Sequence, residues 1–246
     1  MDYSYYGRGI LYIREAGAAA GLMSVGNARE VTFNVQEQVE ELPDYTQPGG
    51  GTYNEVRRIE SVEARILLHD LSPANVARAL LGTSQAVPGD AVTDEEHVAY
   101  LGAFIPLEHP GPYTLVTMTD DGTSPVAITQ ADNWEVRAGG IYILPDAQDI
   151  DNGDTVVVNY THEGYDRVQA ITQSAREYEM VFAGLNEARS GKEVRVNAYR
   201  VKLGPTELLS LITEGYGELP ISGKVLKDLS ITGGSLSQYF RVDIVE

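Results

Sequence analysis

ARILLHDLSPANVARALLG, residues 64–82, and VNAYRVKLGPTELLSLITEG, residues 196–215, are two versions of one phrase, set about 130 positions apart. Each begins as an apolar or alternating strand that ends at leucine: Leu68 and Leu71 in the first, Val201 and Leu203 in the second. A small residue follows, Ser72 or Gly204, and then a proline, Pro73 or Pro205. Proline suits the first helical position because its missing N–H would be unpaired there anyway. Helices are therefore predicted over Ala74–Leu81 and Thr206–Thr213, each closed by a glycine, Gly82 or Gly215. One strand–helix unit used twice in one fold is the expectation.

The neighbouring segments extend the first phrase into a hairpin. Val31, Phe33, Val35 and Val39 alternate with Thr32, Asn34, Gln36 and Gln38, as a half-buried strand does. Val56–Leu68 is the predicted return strand. Between them Leu42–Glu55 holds two prolines and three consecutive glycines, and reads as a long functional loop. Ile10–Arg14 is a short strand, and Tyr178–Leu185, Val194–Leu203, Val225–Ile231 and Gln238–Val245 complete the sheet. The last of these is a candidate sheet edge.

The middle of the chain is different material. From Ser84 to Tyr165 there are 14 acidic residues and one basic residue, Arg137, whereas the whole chain carries −18. Short strands at His97–Ile105, Tyr113–Met118, Val126–Thr129, Trp134–Val136, Ile141–Leu144 and Thr155–Thr161 alternate with turns such as Asp120–Asp121–Gly122. Residues 84–167 read as an inserted β-sandwich-like domain, and residues 1–83 with 168–246 as a discontinuous β core.

Chemistry-bearing motifs do not assemble. There is no cysteine, so no disulfide, thiolate nucleophile or cysteine metal site. His69, His97, His109 and His162 lie in separate segments without ligand spacing. Asp146, Asp149, Asp151 and Asp154 approach a calcium loop, but Gly153 falls at a ligand position and Tyr160 stands where glutamate should close it. An acidic turn is the better reading. No phosphate loop, dinucleotide fingerprint or nucleophile elbow is present. The readings are no catalytic residue, no metal, no cofactor and no enzyme. An acidic chain does not bind phosphate backbones by charge, though it lets DNA slide past. The N-terminus lacks the pattern of a signal peptide, and no apolar run is long enough to span a bilayer.

The order of elements resembles the major tail tube proteins of phages. The carrying residues are the Ser24–Val25–Gly26–Asn27 turn into Val31–Val39, the Leu42–Glu55 loop, HDLSPANVARALLG (residues 69–82), and the run from Tyr178 through VNAYRVKLGPTELLSLI (196–212) to ISGKVLKDLSI (221–231). The resemblance covers roughly residues 8–82 and 168–246 and leaves the insert outside. It implies a mainly β, sandwich or barrel core with two short flanking helices, assembling into hexameric rings. Stacked rings would enclose a tape-measure protein and a channel through which DNA passes without specific binding. The other implied partners are the tail terminator and distal tail or baseplate proteins, with no membrane. The implied location is the virion tail, after assembly from the host cytoplasm. Pro43, Asp44, Tyr45, Pro48, Gly49, Gly50, Gly51 and Tyr53 are then the expected stacking loop between rings. Gln36, Gln38 and Glu40 are the expected lumen face, and Tyr239, Arg241 and Asp243 the expected ring-edge strand. The insert is expected on the exterior. Other readings are a terminator, distal tail protein, secretion tube or adhesion module, and an enzyme using Asp146–Asp154 with His162.

Overall fold

A computed structural model describes residues 3–46 and 48–246. Strand accounts for 51% of the chain and helix for 6%, so the fold is mainly β. From the N-terminus run β1 (Gly7–Glu15), β2 (Met23–Ser24), β3 (Ala28–Pro43), β4 (Thr52–Leu68), α1 (Pro73–Ala79) and β5 (Thr83–Val87). Then come β6 (Asp90–Val98), β7 (Phe104–Pro106), β8 (Tyr113–Asp120), α2 (Gln130–Asn133), β9 (Trp134–Arg137), β10 (Gly140–Ile143) and β11 (Thr155–His162). The chain closes with β12 (Tyr165–Gln169), β13 (Glu177–Asn186), β14 (Lys192–Leu203), β15 (Leu219–Val225) and β16 (Phe240–Ile244). It divides into two compact units, residues 1–84 with 168–246, and residues 85–167.

The first unit is one eight-stranded sheet in the order β2-β1-β13-β14-β15-β4-β3, with β16 pairing the other end of β14. Its pairings are antiparallel. Alternation decides what is buried. Leu11 and Ile13 of β1, and Val62, Ala64, Ile66 and Leu68 of β4, point inward, while Glu63 and Arg65 between them on β4 stay exposed. Met180, Ala198, Val201, Leu203 and Ile221 join the same cluster, against which Val31 and Phe33 of β3 pack. Strands from opposite ends of the order therefore share one core, so the sheet is curled.

Ser72 caps α1: its Oγ accepts from the Asn75 N–H, and Pro73 starts the helix. The matching helix over Thr206–Thr213 does not form. Residues 204–218 are irregular, and the other short helix, α2, lies in the second unit. Gly204 has no side chain with which to cap. Three further expectations are corrected. β15 occupies Leu219–Val225, before the strand expected at Val225–Ile231. His97–Ile105 is broken between β6 and β7. The loop expected over Leu42–Glu55 is shorter than that: Leu42 and Pro43 belong to β3, and Thr52–Glu55 to β4.

The second unit holds two three-stranded sheets, β7-β10-β9 and β6-β11-β8. One apolar cluster spans both, with Ile141 and Ile143 from one and Met118, Val156, Val158 and Tyr160 from the other. Trp134 is buried there, its Nε1–H donating to the Ile128 carbonyl at 3.1 Å.

Candidate functional site

The β3–β4 hairpin is an arm. Its strands pair from Ala28↔Leu68 out to Pro43↔Thr52. Every residue of β3 from Val35 onward, and of β4 up to Glu60, is exposed. This half has no core on either face, and backbone pairing with local charge contacts holds it. Arg57 Nε donates to Glu55 Oε1 at 2.9 Å, and its Nη1 lies 3.5 Å from Glu37 Oε2. Thr52 Oγ1 donates to Glu41 Oε2 at 3.3 Å. Exposed pairs of this kind stabilise by at most about 1 kcal/mol each.

Only residues 44–51 connect the strands, so Leu42, Pro43, Tyr53, Asn54 and Glu55 belong to the ladder itself. The Asp44 N–H donates to the Gly51 carbonyl at 2.7 Å. Asp44 Oδ1 accepts from the Thr46 hydroxyl and N–H, and these bonds hold its carboxyl below the usual range. Gly49, Gly50 and Gly51 all have positive φ, which any other residue would adopt at a cost. Pro48 precedes them, and Tyr45 is 85% exposed at the tip.

Register sorts the arm into two faces. Gln36, Gln38 and Glu40 do share one, opposite Ser61, Arg58 and Val56. The face expected to line a channel is thus nearly neutral, because Arg58 offsets Glu40. The other face carries Val35, Val39 and Ile59 among Glu37, Arg57 and Glu41.

The ring-edge residues sit on or beside β16, which pairs β14 on one side. Arg195 donates to Asp243 Oδ2 through Nε at 2.9 Å and Nη2 at 2.6 Å, and Arg241 lies 3.5 Å from the same carboxylate. These contacts hold the Asp243 carboxyl low. Tyr239 precedes the strand, with Lys227 Nζ 5.7 Å from its ring centre. Val242 and Ile244 are exposed on the strand, while Phe240 stacks on Phe33 at 5.3 Å.

Two groups were not legible in the sequence. Residues 204–218 expose Leu208, Leu211, Ile212 and Tyr216, with Ile212 97% accessible. They fall largely on the segment read as a second helix, Thr206–Thr213. In the second unit, Glu95, His97, His109, Tyr113, Tyr160, His162 and Tyr165 converge. The His109 and His162 rings stack with centres 4.1 Å apart and planes 7° from parallel. His109 Nδ1 lies 3.0 Å from Tyr165 Oη. Glu95 takes the Tyr160 hydroxyl at 2.6 Å and faces His97 Nε2 at 2.7 Å.

Two of the aspartates at 146–154 act as hydrogen-bond acceptors. Asp149 Oδ2 accepts from Asn133 Nδ2 at 2.9 Å, and Asp154 Oδ2 from the Asp151 N–H at 2.7 Å. Among the described residues no three His, Asp or Glu side chains are arranged to hold a metal ion, and no helix is long and apolar enough to cross a membrane. The family described as Protein of unknown function UCP028589 matches residues 4–243. No curated protein matches the chain.

Proposed function

We propose that this chain, which belongs to that family along nearly its whole length, is a non-enzymatic structural subunit of a phage tail tube. Copies of it form rings, expected to be hexameric, that stack around a tape-measure protein and a channel for DNA. The observation that carries this reading is the arm. A hairpin wet on both faces, with Val35, Val39, Leu42, Val56 and Ile59 exposed along it, buries nothing within its own chain. Such apolar exposure marks a surface that another molecule covers.

The edge of β16 and the apolar run at Leu208–Tyr216 supply further unsatisfied surface on the same unit. A closed ring needs two different complementary faces per subunit, and an open strand edge is one means of making them. The second unit, with its own core, is proposed to sit outside the tube wall.

Negative-stain electron microscopy of the full chain, concentrated and incubated for days, tests the proposal. Stacked rings or hollow tubes of uniform width are expected. Persistent monomers, by microscopy and light scattering alike, would overturn self-assembly of this chain.

A further inference from the structure

Beside α1, in the first unit, lies a cavity of about 420 Å³. Its wall brings Arg14, Arg78 and Arg176 together around Met23, Leu81 and Tyr178. Two of the three arginines are paired, Arg14 with Glu179 and Arg176 with Glu15. Arg78 is not: among the described residues no carboxylate lies within ion-pair distance of it. It donates through Nη1 to the neutral Asn75 Oδ1 at 2.7 Å. Asn75 is itself fixed, buried, with Nδ2 donating to the Val25 and Asp70 carbonyls at 2.8 and 2.9 Å.

Arg78 is thus a positioned, partly desolvated cation. Burial pushes its basicity below the usual value, and the one opposing influence is the Tyr178 hydroxyl, not an acid. A guanidinium does not discharge in proteins, so the charge stays and lacks a counter-charge. The complement is on the arm. Residues 40–54 include Glu40, Glu41 and Asp44 and no lysine or arginine; Glu55, next along, is already paired with Arg57. They carry exposed Leu42, Tyr45 and Tyr53 beside those acids, to meet a wall in which three arginines outnumber Glu15 and stand beside Met23, Leu81 and Tyr178.

We propose that this arginine cavity receives the acidic, aromatic arm tip of a second copy of the chain, with an arm carboxylate completing Arg78. The inference rests on the assembly reading above and names the surface that the arm meets. Charge complementarity of this sort fixes partner and register more than raw affinity.

The chain contains no cysteine, so cross-linking is free of background. Full-length Met23→Cys and full-length Tyr45→Cys are mixed and oxidised; both positions are well exposed. A disulfide-linked pair containing one of each chain is expected. Adding Arg78→Gln to the Met23→Cys chain should slow its formation about tenfold, and Arg78→Lys should restore most of the rate. Should Arg78→Gln fail to fold, the unmutated pair at about 1 M salt gives the same readout, because screening suppresses the contact. No cross-link, or one indifferent to both charge removal and salt, overturns the proposal. Tubes without the cross-link sink the cavity and spare the assembly reading; the cross-link without tubes does the reverse.

Discussion

Glu95 meets three donors in the second unit. Its Oε2 accepts the Tyr160 hydroxyl, and its Oε1 faces His97 Nε2 and accepts the Glu108 N–H at 3.0 Å. Burial alone would raise this carboxyl, but the hydrogen bonds from Tyr160, Glu108 and His97 outweigh it and hold the value below the ordinary range. Burial, together with this same contact, pushes the Tyr160 hydroxyl well above its usual value. A carboxyl lowered on folding stabilises the fold above its unfolded value, near pH 4, and that contribution is lost as pH falls through the folded value. Glu95→Gln should therefore destabilise the second unit by about 1–3 kcal/mol at pH 7. Thermal unfolding of both proteins at pH 7 and pH 3 checks this: the gap should shrink in acid. A gap of constant size would show that the charge of Glu95 is not what the donors recognise. The histidine stack beside it joins residues 53 positions apart; it exists only because β11 brings His162 opposite Tyr113 of β8. No local pattern encodes that meeting, so residue spacing could not announce it.

At the scale of elements, the two copies of the strand–proline phrase have different fates. The first becomes a helix because Ser72 caps it and Asn75, Ala77 and Ala79 are buried against the sheet. The second has Gly204 at the cap, and only Leu209 of its apolar run packs on the core. Short helices are marginal without a face to bury, so the same local code gives a coil with Leu211 and Ile212 in water. Ile212→Asp should leave the stability of the isolated chain within about 0.5 kcal/mol. It should raise the concentration needed for rings about tenfold or more, if this segment is covered on assembly. Chemical denaturation and sedimentation velocity read the two effects; unaltered assembly would remove Leu208–Tyr216 from the contact. Period-two alternation made β3 and β4 readable from Val31 and Phe33, since burial imposes that period. Beyond Phe33 burial stops, and the pattern loses its cause. Pro43 and the three glycines then drew the loop too wide, although proline is tolerated at the end of an edge strand such as β3.

For the whole molecule, the acidic run recognised in the sequence from Ser84 coincides closely with a unit that has its own core, residues 85–167. Composition made it legible, because an independent core brings its own balance of surface charge. The chain leaves and re-enters the first unit at neighbouring points. β5 and β12 pair with each other, Ile171 N–H donates to the Leu80 carbonyl at 2.9 Å, and a Cβ on Gly82 would strike the Gln169 carbonyl oxygen. Replacing 85–167 with a short Gly–Ser linker should thus leave a first unit that unfolds cooperatively and still forms tubes. Circular dichroism and electron microscopy decide it: a folded product that no longer assembles would make the insert part of the ring contact.

That crossing also governs the order in which the molecule can fold. The first unit joins the Tyr6 N–H to Asn186 Oδ1, 180 positions away, and zips β1 along β13. Searching for such a distant partner with a slack tether is slow, because the chain must lose the entropy of a long loop before any contact rewards it. If residues 85–167 collapse first, their ends come to lie side by side, and the tether shortens to little more than the flanking segments. The insert would then act as a clasp on the tether, and pairing of β1 with β13 would follow its folding.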